Sequence, residues 1–171
     1  MSRLPATIGR AVPLLLLPLA LSACGQDKPQ PAPSESASAA APIGPESKPG
    51  LSLSAGRLVL PAVKGNPAAA YFTLANTSDK PVTIAAVDVA GGGMAMLHET
   101  TTKDGRSSMG ELANPAAPAG GQLVFAPGGK HVMVMDVPAD WKAGGSAEMT
   151  LVFADGDKLS AQLAIEAPGG N

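Results

Sequence analysis

Short runs of apolar and β-branched residues, separated by turn residues, recur along the chain from residue 51 onward. No long stretch has the 3.6-residue period of an amphipathic helix. The spacing of the runs, with Gly, Asn and Asp between them, predicts eight strands in an all-β sandwich or barrel. The predicted strands are 57–63, 70–76, 82–89, 94–99, 122–126, 131–137, 147–154 and 158–166.

The first 23 residues have the pattern of an export signal. Arg3 and Arg10 are their only charged residues, and a short apolar stretch interrupted by prolines follows. A basic start, an apolar middle and small residues at the end are typical of a secretory signal peptide. The end, Leu21-Ser22-Ala23-Cys24, resembles the lipobox of bacterial lipoproteins. We therefore expect a lipid on Cys24 and a membrane-attached protein in the periplasm or cell envelope; the alternative is an ordinary signal peptide with an incidental Cys.

The next segment differs in composition from everything that follows it. Residues 24–50 are rich in Pro, Ala and Ser and contain few large apolar side chains. Such a segment cannot bury enough apolar surface to offset the entropy of ordering, so a disordered linker is expected. The predicted organisation is a signal peptide at 1–23, a lipidated Cys and linker at 24–50, and one domain at 51–171.

Charge and cysteine content exclude several classes of function. The chain has 12 Lys and Arg against 14 Asp and Glu and no basic run, which argues against nucleic acid as a partner. The single Cys excludes disulfides and thiolate metal sites within the chain. Five of the seven Met and both His lie between positions 94 and 135. The candidate chemistry is therefore that of imidazole and thioether groups.

Two predicted strands each place one imidazole and two thioethers on the same face, because alternate residues of a strand share a face. Soft thioether sulfur favours Cu(I), whereas Mg, Ca and Mn prefer oxygen, and a blue-copper centre would need a Cys. The alternative is that each Met or His simply fills the core. The residues are Met94, Met96 and His98 on one strand and His131, Met133 and Met135 on the other.

The spacing of four of these groups follows the pattern H-x10-M-x21-H-x-M, formed by His98, Met109, His131 and Met133. This pattern resembles the copper-binding signature of the PCuAC family of periplasmic copper chaperones. Segments 68–76, 97–99 and 127–135 are also similar to that family. The resemblance implies a cupredoxin-like Greek-key β-sandwich in which these four residues bind Cu(I). Met96 and Met135 are expected to be auxiliary ligands.

The same resemblance implies a function and a partner. A chaperone of this kind would deliver copper to the copper A centre of cytochrome c oxidase, so its partner would be the copper A subunit or another copper-transfer protein. The alternative is a scavenging or tolerance protein of the envelope without a dedicated recipient. An enzyme is not expected, because one site would use both His and leave none for a second copper or a general base.

Overall fold

The computed structural model describes residues 46–169, and every regular element in that range is a strand. Among these residues no helix is long and apolar enough to cross a bilayer. The strands are β1 (Leu51–Val59), β2 (Ala68–Asn76), β3 (Val82–Val89), β4 (Ala95–Lys103), β5 (Arg106–Glu111), β6 (Ala116–Ala117), β7 (Gln122–Phe125), β8 (Lys130–Val134), β9 (Ser146–Phe153) and β10 (Lys158–Glu166).

The strands form one hydrogen-bonded path in the order β5-β4-β8-β2-β1-β10-β9-β3-β6, with β7 also paired to β2. Strand β1 is antiparallel to β2 and parallel to β10, so it joins the two halves of the path. Its register shifts between Ser54 and Arg57, where Ala55 has a φ of 53°. Such a bulge bends a strand and lets it pass from one layer to another. The predicted all-β, cupredoxin-like class is confirmed.

Alternation of inward-facing and outward-facing positions along the strands builds the core. In β2 buried and half-buried positions alternate without interruption, and Phe72 and Leu74 point inward. Phe72 stacks on Phe125 of β7 with ring centroids 4.4 Å apart. Fully burying a side chain of this size contributes about 2 kcal/mol. Because Ala69 and Tyr71 alternate with these residues, they lie on the opposite, outer face of the same strand.

The predicted strands differ from the observed ones at several places, and the strand predicted at 94–99 extends to Lys103 as β4. The first strand was predicted at 57–63 and lies at 51–59, because the Ser-rich start pairs along β2 despite its polar composition. Strands β5 and β6 were not predicted. All six residues of β5 are exposed, so no apolar position marks the strand. Strand β8 ends at Val134 instead of 137, just before Asp136 adopts a φ of 47°.

The predicted signal peptide, Cys24 and most of the predicted linker lie outside the described residues. The last residues of the predicted linker, 46–50, are described and contact the sheet. Ser160 N–H donates to the Glu46 carbonyl at 2.9 Å. The Lys48 ammonium binds the carboxylates of Asp155 and Asp157 in the turn between β9 and β10. The chain therefore joins the domain beside this turn.

Candidate metal centre

Strands β4 and β8 bring the two histidines together. In their antiparallel pairing His98 lies directly opposite His131, and Met96 lies opposite Met133. Directly paired residues share a face of the sheet, and here it is the outer face, because Leu97 and Val132 fill the core. The two imidazole centroids are 6.1 Å apart, and Nδ1 of His98 lies 2.6 Å from Sδ of Met133. Three donor groups therefore converge on one point of the sheet.

A backbone contact fixes the orientation of His131. Its Nδ1 lies 3.0 Å from the carbonyl oxygen of Gly129, which can only accept a hydrogen bond. Nδ1 must therefore carry the proton in the neutral ring, which leaves the lone pair on Nε2 free for a metal. The side chain is only 9% exposed, so its position is also fixed by packing. His131 is the most rigidly held of the candidate ligands.

Met109 reaches the same region from the edge strand β5. Its partner on β4 is Thr100, two residues from His98 on the same face. Met109 is 54% exposed, and with His131 and Met133 it lines a surface cavity of about 290 Å³. His98 does not line this cavity, but its imidazole contacts Met133, which does. The structure thus brings all four predicted ligands to one place.

The two predicted auxiliary ligands occupy different positions around this place. Met96 is half-buried beside Met133, its cross-strand partner. Met135 lies just beyond β8, where its N–H donates to the carbonyl of Met94 at 2.9 Å. Met94 itself is 67% exposed.

The donor groups of the centre carry no formal charge. Glu99 alternates with His98 on β4, and its carboxylate accepts a hydrogen bond from the Lys130 ammonium at 2.7 Å. Among residues 46–169 no group of three His, Cys, Asp or Glu side chains could hold a metal ion. Imidazoles and thioethers are therefore the donors that the arrangement offers. That set suits a soft monovalent ion such as Cu(I) better than hard cations, which prefer oxygen.

Sequence reasoning missed the wall of the cavity opposite the ligands. Ala69 lies opposite Met133 in the pairing of β2 with β8, and Tyr71 lines the cavity on the same strand. The Arg57 guanidinium lies 5.3 Å from the Tyr71 ring centroid. The alternation in segment 68–76 could have placed both β2 residues outside the core, but only the pairing of β2 with β8 places them beside the ligands.

The fold is that of a PCuAC-type β domain. The chain belongs to the LpqE-like family, described as "Putative lipoprotein LpqE-like", whose model matches residues 51–165. The resemblance proposed from the His and Met spacing is confirmed at the level of family and fold.

The proteins similar to this chain include two solved structures with copper in their names and a lipoprotein. The copper-bound PCuAC domain from PmoF2 is 24% identical with a TM-score of 0.59, covering 74% of this chain and 98% of that one. CuI-DR1885 from Deinococcus radiodurans is 26% identical with a TM-score of 0.54, covering 80% and 86%. "Putative lipoprotein Lxx21020" of Leifsonia xyli subsp. xyli is 36% identical over 89 residues, 52% of this chain and 54% of its own length. The chain spans about half the length of the curated relatives it matches.

Proposed function

We propose that the protein is a copper(I) chaperone of the bacterial cell envelope, a binding and transfer protein and not an enzyme. Copper is its cargo, held by His98, Met109, His131 and Met133. The observation that carries the proposal is the pairing of His98 with His131 across β4 and β8, with Met133 against His98. The copper-bound PCuAC domain and CuI-DR1885, which share the fold, support it.

The chemistry of the four donors suits transfer. Imidazole and thioether are neutral, so a bound Cu(I) keeps a single positive charge, and no charged ligand has to be pulled away from it on release. The donors also differ in access. His131 is 9% exposed and hydrogen-bonded to Gly129, whereas Met109 is 54% exposed on an edge strand. A recipient that offers its own ligand would therefore displace Met109 first and His131 last.

The expected location follows from the N-terminal residues. We propose that residues 1–23 are removed, that Cys24 carries the lipid and that the residues up to 50 link this anchor to the domain at 51–171. The family description and the relative from Leifsonia xyli, both worded as lipoproteins, support the anchor. The proposed recipient is the copper A subunit of cytochrome c oxidase or another copper-transfer protein of the envelope.

Metal analysis and X-ray absorption of the Cu(I)-loaded protein test the site. We expect a mixed shell of nitrogen and sulfur, with nitrogen reduced in His131→Ala and sulfur reduced in Met133→Leu. Met149→Leu is the matched control, because Met149 is completely buried in β9 and a Met-to-Leu change conserves volume. A shell of oxygen alone, or an unchanged shell in both site variants, would refute the assignment.

Growth of a deletion strain separates delivery from scavenging. A chaperone predicts loss of oxidase activity when copper is scarce, and the loss should be restored by the wild-type gene but not by a His98→Ala, His131→Ala gene. A scavenging protein predicts growth inhibition at high copper with normal oxidase activity at low copper. That second pattern would refute delivery to the oxidase.

A further inference from the structure

The outer face of β4 and β8 carries more sulfur than the four-residue site uses. Beyond the pairs His98–His131 and Met96–Met133 and past the ends of the two strands, Met94 and Met135 form a third pair through a single hydrogen bond, from Met135 N–H to the Met94 carbonyl at 2.9 Å. Hydrogen-bonded partners have Cα atoms about 5.5 Å apart, and successive pairs on one face are about 6.6 Å apart along the strands. These spacings bring the ends of neighbouring Met side chains within reach of one ion. We call the four methionines of these pairs the methionine row; they are Met94, Met96, Met133 and Met135.

Packing does not explain the methionine at the exposed end of the row, although the other three are half-buried. The core side of these strands is filled by Leu97, Val132 and Val134, all less than 9% exposed. Met94, by contrast, is 67% exposed, so its apolar side chain gains little by burial. Met149 is the example of a packing methionine in this domain, with no exposed surface.

The backbone at the end of the row is built for close approach. Gly93 N–H donates to the Met135 carbonyl at 2.9 Å, and a Cβ on Gly93 would lie only 2.9 Å from that oxygen. It would also lie 2.7 Å from Oδ2 of Asp136. Glycine therefore allows the strand ends to meet and holds Met94 beside Met135. The Asp136 carboxylate provides negative charge near a cation bound there.

We propose that Met94, Met96 and Met135 form a second Cu(I) site. It lies next to the His and Met centre, one cross-strand residue pair further along the same two segments. The proposal rests on copper being the cargo. Three neutral thioethers are soft donors that select Cu(I) over Zn or Cu(II). Met96 lies beside Met133, so the second ion would sit next to a ligand of the first. The domain would then carry two copper ions on one face, and the second ion would lie nearer the exposed Met94.

The stoichiometry of Cu(I) binding, measured against a chromogenic Cu(I) chelator, tests this site. The wild-type chain is expected to bind about two Cu(I) ions, and Met94→Leu, Met135→Leu about one. Met149→Leu is the matched control and should keep both ions. Circular dichroism checks that each variant is folded, which should hold because Met94 is exposed and Met135 is half-buried, and a Met-to-Leu change conserves volume.

A second measurement distinguishes failure of the second Cu(I) site from failure of the His and Met centre. The His98→Ala, His131→Ala variant should retain one Cu(I) with an all-sulfur shell by X-ray absorption. If the wild type binds one ion and Met94→Leu, Met135→Leu binds it equally well, the second site is refuted while the His and Met centre stands. If the histidine variant retains both ions, the second site stands and the proposed centre fails. Nitrogen or oxygen alone in the shell of the histidine variant also refutes the second site.

Discussion

Single residues in this domain act through contacts that lie far apart in the sequence. Alternation along two strands is sufficient to predict that His98 shares a face with Met96, and His131 with Met133. It cannot predict that His98 lies opposite His131, because that contact depends on which strands pair and in what register. The Gly129 carbonyl that orients His131 is local, two residues away, yet it accepts a hydrogen bond from the imidazole N–H only in the conformation of this turn.

Asn76 is the buried polar residue whose hydrogen bonds hold together the end of β2. Its Nδ2 lies 2.8–3.2 Å from the carbonyl oxygens of Lys80, Ala117 and Pro118, and its Oδ1 accepts from Ser78 N–H at 3.0 Å. We expect Asn76→Ala to lower the free energy of unfolding by about 3 kcal/mol, because buried carbonyl groups lose their donors. Urea denaturation measures this as a lower midpoint with an unchanged slope.

The matched control for this substitution is Asn66→Ala, at an exposed loop position between β1 and β2. Its effect should stay within about 0.5 kcal/mol, as for most surface changes. Equal midpoints for the Asn76 variant and the wild type would mean that these hydrogen bonds contribute nothing net to stability.

Gly93 is required by the close approach of two chain segments. An added Cβ would lie 2.7 Å from the Cβ of Asp136 and 2.9 Å from the Met135 carbonyl oxygen, so the segments would have to separate. Gly93→Ala is expected to destabilise the domain by about 2 kcal/mol, a typical cost of inserting a methyl group without space. Thermal unfolding measures it. Gly129→Ala is the control, since its nearest neighbour would be the Ala126 carbonyl oxygen at 3.7 Å, and similar melting temperatures for the two variants would contradict this account.

At the level of elements, the longer strands with a buried face were predictable, whereas the two-residue β6 and the fully exposed β5 were not. Strand β9 alternates buried and half-buried residues after its first position, and its predicted bounds differ by one residue at each end. Strand β5 has no buried residue and consists largely of small, polar and charged ones, so no period marks it. It exists because β4 offers a free edge for pairing. One candidate ligand, Met109, was therefore identified by spacing alone, without the element that carries it.

The position of Met109 depends on the β4–β5 ladder. Leu112 N–H donates to the Leu97 carbonyl, and by strand alternation Ser108 also directs its N–H toward β4, opposite Thr101. Ser108→Pro removes that donor and should detach the strand locally. We expect the Cu(I) affinity to fall about tenfold, as when a ligand loses its support. Chelator competition provides the measurement.

Ser107→Pro is the control for this change. The N–H at position 107 points away from β4 by the same alternation, so the proline removes no ladder hydrogen bond. Its Cu(I) affinity should stay close to that of the wild type. If both proline variants weaken binding equally, general distortion of the hairpin, and not the ladder at Ser108, is the cause.

At the scale of the whole molecule, an ion-pair cluster around Lys48 holds the first described residues against the turn between β9 and β10. The Lys48 side chain is 12% exposed, and its ammonium binds Asp155 and Asp157, whose side chains are 56% and 63% exposed. The hydrogen bond from Lys48 holds the pKa of Asp155 below its ordinary value of 3.8, and hydrogen bonds to the same two carboxylates raise the pKa of Lys48 above 10.5. Sequence alone gave no reason to pair residues about a hundred positions apart.

The lowered pKa makes stability depend on pH in acid. A carboxylate with a lowered pKa in the folded state stabilises the fold above its unfolded value and loses that contribution as pH falls through the folded value. Wild type should therefore be more stable than Asp155→Asn at about pH 6, and the difference should shrink below about pH 4. Urea denaturation across this range measures it. Asp104→Asn, in the exposed turn after β4, is the control, and a difference that stays constant with pH would refute the contribution of the ion pair.

The fastening of residues 46–50 also sets a direction for the whole domain. Leu51 pairs with Asn76 at one end of β2, whereas Met133 pairs with Ala69 near the other end. Seven residue steps along a strand separate these points by about 23 Å. The first described residues and the proposed metal centre thus lie at opposite ends of β2, so a partner docked at the centre would not collide with the chain where it enters the domain.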